Sequence, residues 1–164
     1  MRAGLARALA TVGGLGDRLP APGTTVGSLA ALLAFAVLSR ALGESTWVGA
    51  AVGLVILVPL AVTACGVEAA RRGEADPGPV VLDEVVGQWL ALSCLVGTRT
   101  GVPSGLALAV SFVLFRVFDV LKPWPIRRLE RLAGGIGIVA DDLAAGLAAA
   151  VCQLVVSRWL PVAG

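Results

Sequence analysis

Long apolar stretches alternate with short polar breaks, rich in proline and glycine, along most of this chain. The apolar stretches are residues 27–42, 47–67, 85–97, 102–115 and 143–160. A helix rises ~1.5 Å per residue and needs ~20 residues to cross a bilayer. Only residues 47–67 meet that length without charge, with Pro59 inside as the expected site of a kink tolerated within a bundle. The others reach it by taking in charged neighbours: Asp83 and Glu84 before the third, Arg116 and Asp119 after the fourth, Asp141 and Asp142 before the fifth. The pattern predicts an all-α, polytopic membrane bundle of about five apolar helices, some short. Its ionisable side chains lie at membrane depth or at the interface, where they are costly and usually functional.

The breaks carry the topology. Residues 1–17 are mildly apolar, with Arg2 and Arg7, and lack a compact apolar core followed by a small-residue cleavage site, so no signal peptide is expected. In residues 19–28, Pro20, Pro22 and Gly23 are expected to exclude helix, while Thr24, Thr25 and Ser28 supply hydroxyls. Those hydroxyls are either caps for the next helix or part of a loop meeting a phosphate at that helix N-terminus. With the N-terminus inside, the inner loops hold Arg2, Arg7, Arg18, Arg71, Arg72, Lys122, Arg127, Arg128 and Arg131. Arg40, Arg99 and Arg158 remain outside, and Arg116 sits at the inner boundary, which satisfies the positive-inside rule. Every acid except Glu44 then falls on the inner side.

Composition agrees with a lipid environment. Of 164 residues, 57% are hydrophobic and 15% charged, against ~45–50% and ~25% in an ordinary soluble domain. The length suits one domain, residues 1–164. A net charge of +2 argues against general nucleic-acid binding. Cys65, Cys94 and Cys152 fall in apolar runs and predict small buried residues, not a disulfide framework. Histidine is absent, which excludes any histidine nucleophile, base or metal ligand.

Chemistry concentrates in residues 113–142. Arg116 and Asp119 share a helix face, Lys122 follows three residues later, and Pro123 and Pro125 end the helix. Gly134 and Gly135 form a turn before the adjacent carboxylates Asp141 and Asp142, which repel each other unless solvated or holding a cation. Acids for a metal and fixed cations for an anion, beside a membrane, fit phosphate chemistry on a lipid. Two other readings compete with it. Cys65 and Arg71 have the C-x5-R spacing of cysteine phosphatases, but the segment reads as the end of an apolar helix and not as a glycine-rich phosphate loop. A non-enzymatic carrier or channel would spread its charges through the membrane depth, whereas these gather at one end.

The chain resembles the phosphatidylglycerophosphatase A family of bacterial membrane lipid phosphatases over about residues 14 to 156. The carriers are Gly14-Leu15-Gly16, Ala21-Pro22-Gly23-Thr24 with Gly27-Ser28, Leu82-Asp83-Glu84 through Gln88-Trp89, and Phe115-Arg116-Val117-Phe118-Asp119. Lys122-Pro123-Trp124-Pro125-Ile126 and Gly134-Gly135-Ile136-Gly137 through Asp141-Asp142 complete the series. Glu130 stands where the family usually has Asp, and either Thr24 or Thr25 matches the family threonine. The resemblance implies magnesium-dependent hydrolysis of phosphatidylglycerol phosphate at the cytoplasmic face of the bacterial inner membrane. Mg²⁺ seeks octahedral oxygens, commonly carboxylates, phosphate and water. Asp83, Glu84, Asp119, Asp141 and Asp142 are the candidate metal ligands, and more than two such acids can support a metal pair. Asp83, Glu84, Asp119 and Asp142 are the candidate catalytic residues. Arg116 offers a bidentate fork and Lys122 a point charge for the phosphate, with Thr24 as a further substrate contact. Whether a water activated by the metal or one of the carboxylates attacks is left open by the sequence.

Overall fold

The computed structural model describes residues 1–97 and 103–157. Among them the fold is all-α with no strand: α1 (Ala3–Ala10), α2 (Leu29–Leu42), α3 (Thr46–Arg72), α4 (Leu82–Ser93), α5 (Gly105–Leu121) and α6 (Gly135–Val156). Helices α2 to α6 answer to the five apolar stretches, and α1 is additional. Arg99 and Arg158, expected on the outer side, lie outside the described residues.

Helix α4 sits at the centre, packed against α2, α3, α5 and α6. Its 12 residues extend only about 18 Å at the usual rise, and Val86, Gly87, Gln88, Trp89, Ala91 and Leu92 are all buried. The third stretch is thus a short core helix, extended by a single 3-10 turn at Cys94–Gly97. Glycine sets how closely its neighbours approach. A Cβ on Gly87 would lie 2.6 Å from the Asp142 carbonyl oxygen and 2.6 Å from Cε2 of Phe115, and one on Gly146 would collide with the Gly87 carbonyl. Small residues at such crossings let helix backbones touch, as is common between helices in membranes. Phe35 meets Trp89 edge-on at 5.4 Å between centroids, and the Trp89 indole N–H donates to the Ala50 carbonyl at 3.1 Å.

Two stretches, Gly23–Arg72 and Gly135–Val156, are apolar and long enough to cross a membrane. Large apolar side chains point outward on α2, α3, α5 and α6, with Val37, Val55 and Val120 at 68%, 75% and 69% exposure. An apolar exterior of this kind marks a surface covered by something other than water.

Two expectations need correction. Residues 19–28 do not exclude helix: Gly23–Ser28 forms a π-helical turn running straight into α2. Pro22 precedes its first residue, where a helix needs no proline N–H, and the N–H groups of Thr24 and Thr25 both donate to the Ala21 carbonyl at 3.0 Å. They are committed to the backbone and not offered to a phosphate, and no hydroxyl caps α2. The acid pair at 141–142 does not precede its helix either. Helix α6 starts at Gly135 after Gly134, whose φ of 63° suits glycine, so both acids lie in its second turn.

At the N-terminus, Asp17 joins Arg7 at 3.0 Å and Arg72 at 2.6 Å. Hydrogen bonding from Arg72 holds the Asp17 carboxyl below the usual carboxylate range. Arg72 and Arg71 also embrace the buried Glu68 at 2.7 and 2.6 Å, so α1 and its following turn are strapped to the end of α3.

Candidate active site

The first turn of α4 and the second turn of α6 face each other because Gly87 and Gly146 bring these helices into backbone contact. That crossing carries Asp83 and Glu84 against Asp142, and one carboxylate oxygen from each lies within 4.8 Å of the other two. Asp83 and Asp142 are buried and Glu84 half-buried. Oδ1 of Asp83 and Oε2 of Glu84 are buried with no hydrogen-bond partner. Unpartnered carboxyl oxygens in such a cluster fit a hard divalent cation that takes oxygen ligands.

These acids line a small cavity of about 90 Å³ together with Asp76, Asp119, Lys122 and Asp141. Asp119 comes from the last turn of α5, and its Oδ2 meets Nη1 of Arg116 at 2.6 Å. The i,i+3 spacing seen in the sequence is therefore a real ion pair, and it ties the guanidinium to a residue that lines the cavity. Lys122 ends α5 in the left-handed conformation, φ 40°, which costs a non-glycine residue about 1 kcal/mol or more. The bend delivers its ammonium to Asp141 at 2.6 Å and Glu130 at 2.7 Å. Burial works against the Lys122 charge, but the hydrogen bonds to Asp141 and Glu130 outweigh it and hold the ammonium above the ordinary lysine range.

Glycine also brings the π-helical turn over the site. A Cβ on Gly23 would collide with Oε1 of Glu84 and lie 3.5 Å from Nη1 of Arg116. The Thr25 hydroxyl donates to the Pro20 and Ala21 carbonyls at 2.9 and 3.1 Å. Thr24 instead lines a groove with Arg116, outside the acidic cavity.

The matched family model is phosphatidylglycerophosphatase A, over residues 8–157. The chain belongs to this family. A Haemophilus influenzae relative named phosphatidylglycerophosphatase A is 33% identical over 142 residues, 86% of this chain and 82% of the relative. An Escherichia coli K12 relative of the same name is 36% identical over 97 residues, 58% of this chain and 54% of the relative. A Bacteroides thetaiotaomicron relative, provisionally named a phosphatidylinositol-3-phosphatase, is 33% identical over 144 residues, 85% of each chain. No solved structure matches the chain.

Within this family member, the expected acids divide into two sets. Asp83, Glu84 and Asp142 form the three-carboxylate cluster, while Asp119 and Asp141 line the same cavity but are engaged by Arg116 and Lys122. Cys65 is fully buried within α3 and Arg71 is bound to Glu68, so no phosphate loop joins them. Asp76 is the acid that sequence reasoning missed. It lies in the turn between α3 and α4 and borders both the small cavity and a wider one of about 610 Å³. The wider cavity is walled by the end of α3, Glu74, Glu130 through Gly134 and the start of α6, and it shares Asp141 as well. The signal available was a carboxylate directly before Pro77-Gly78, six residues upstream of Leu82-Asp83.

Proposed function

We propose that this chain hydrolyses phosphatidylglycerol phosphate to phosphatidylglycerol and inorganic phosphate, with magnesium as cofactor. The observation that carries this reading is the convergence of Asp83, Glu84 and Asp142 on one cavity lined by Lys122, with Arg116 paired to the cavity-lining Asp119, in a member of this family. Asp83, Glu84 and Asp142 would hold the ion, which when bound supplies positive charge against the phosphoryl oxygens and orients the attacking oxygen. Arg116 presents its planar fork to the phosphate, steadied by Asp119. Lys122 adds a point charge, fixed in place by Asp141 and Glu130. Glu130 thus acts as a positioning residue.

The proposed setting is a bacterial inner membrane crossed several times, with the site facing the cytoplasm. Supporting it, the start of α4, the end of α5 and the start of α6 meet at one end of the bundle, the end carrying Arg71, Arg72, Arg127, Arg128 and Arg131. The test is phosphate release from phosphatidylglycerol phosphate by purified protein with Mg²⁺, with EDTA, and with phosphatidylinositol 3-phosphate as second substrate. The reading expects Mg²⁺-dependent release from the first lipid. EDTA-resistant release would remove magnesium from the mechanism, and preference for the inositol lipid would reassign the substrate.

A further inference from the structure

The phosphorylated end of a lipid is accounted for above; its acyl chains are not. On the outer face of α5, Phe112, Val113, Val117, Val120 and Leu121 line an open groove of about 450 Å³. The groove is almost wholly apolar except at Thr24 and Arg116. These positions recur every three or four residues and so form one stripe along the helix. From Phe112 to Leu121 it extends about 14 Å at the usual helical rise. Val113 and Val120 are 57% and 69% exposed, too much apolar surface to leave in water.

Arg116 is the point of continuity. It lines the groove, and its guanidinium meets Asp119, which lines the acidic cavity, at 2.6 Å. An amphiphile with a phosphate at Arg116 would therefore have its apolar part beside Val113 and Val117. Another large apolar cavity, about 520 Å³ among α1 to α4, is lined by Ala8, Leu9, Val12, Trp89 and similar residues with no cation and no hydroxyl. It offers nothing for an anionic headgroup. Charge complementarity and continuity both favour the α5 groove.

We propose that the α5 groove is the acyl-chain site for the phospholipid substrate: the lipid enters sideways from the bilayer between the π-helical turn and α5, with its phosphate toward Arg116 and one chain along Val117, Val113 and Phe112. This rests on the phosphatase reading and adds the route by which the lipid reaches the site. The groove's lining is apolar and open, so it selects for the presence of a chain and not for headgroup identity.

The experiment compares purified full-length wild type with Val113→Trp and Val117→Trp, which fill the groove, and Val55→Trp, which adds equal bulk to the exposed face of α3. Each is assayed with dioleoyl and with water-soluble dibutyryl phosphatidylglycerol phosphate. The wild type is also photolabelled with phosphatidylglycerol carrying a diazirine on one acyl chain. The expected result is a fall of roughly 10- to 100-fold in kcat/KM on the dioleoyl lipid for the two groove variants. Their dibutyryl rates stay within about twofold, Val55→Trp behaves as wild type, and photolabel appears on α5. Equal losses on both substrates, or no loss on either, overturn the groove as the chain site. If wild type hydrolyses neither lipid, the phosphatase reading fails and the photolabel alone decides: α5 labelling upholds the groove, and labelling elsewhere overturns it.

Discussion

Arg116 and Lys122 both carry positive charge, yet they are held differently and should respond differently to substitution. Arg116→Lys keeps the charge but loses the planar fork. Charge-assisted hydrogen bonds contribute ~1.5–3 kcal/mol, so turnover should fall roughly 10- to 100-fold. Asp83→Asn and Asp142→Asn remove members of the three-carboxylate cluster and should nearly abolish turnover. Turnover against Mg²⁺ concentration, with folding followed separately by circular dichroism, checks all three; near-normal rates in both Asn variants would move the metal site elsewhere. Glu130→Asp should be mild, because Glu130 reaches Lys122 from an exposed position and Asp141 holds the same ammonium from the buried side. The Arg116–Asp119 pair was legible in the sequence because it depends only on helical spacing. The contacts of Lys122 with Glu130 and Asp141 span 8 and 19 residues, and the turn that makes them relies on a left-handed lysine that no periodicity announces. Asp76 was missed for the same reason: loop residues reach a site through chain reversal, which apolar patterning does not encode.

Among the elements, α4 decides whether the site exists. The extent of the apolar runs gave the helices and their order, but not how deeply α4 would be enclosed, since an apolar run facing lipid and one facing protein look alike. The start of α6 was misplaced because the run was counted from its first uninterrupted apolar residue, whereas two buried acids occupy a helix begun by glycine. Gly87→Val should overpack the α4–α6 crossing, where even a Cβ has no room. Such changes typically cost ~1–3 kcal/mol, and thermal unfolding in detergent should show a lowered midpoint together with lost turnover. The strap at the N-terminus adds a pH dependence. The Asp17 carboxyl is depressed in the folded chain, so its contribution is fully present above the ordinary carboxylate pKa and lost as pH falls through the lower folded value. Hydrogen exchange in α1 should therefore be protected at neutral pH and speed up, relative to an Asp17→Asn variant, on acidification below about pH 4. Equal protection in both proteins at neutral pH would show that the strap does not hold α1.

At the scale of the whole molecule, the topology proposed above from the arginine count expects Arg71 and Arg128 on the cytoplasmic side and Glu44 on the far side. Single cysteines introduced at these positions, in a protein freed of Cys65, Cys94 and Cys152, should be labelled by an impermeant thiol reagent from the corresponding sides only. Labelling of position 128 from outside the cell would overturn this topology. The cysteine-free protein should keep its Mg²⁺-dependent turnover, since Cys65 is buried inside α3 and no cysteine lines the acidic cavity.

The wide cavity that shares Asp76 and Asp141 with the acidic cavity has no lining residue in common with the α5 groove. On the proposed reading, the two products part company where they are made, phosphate into the wide cavity and phosphatidylglycerol, which keeps only its phosphodiester charge, back along the helix into the bilayer. Drawing a phospholipid's two long chains into water would cost ~0.8 kcal/mol per methylene, on the order of 20 kcal/mol in all, as much as a large catalytic barrier reduction. A reaction chamber with one door to water and another to hydrocarbon never faces that climb, so the lipid can be processed while it remains dissolved in the membrane.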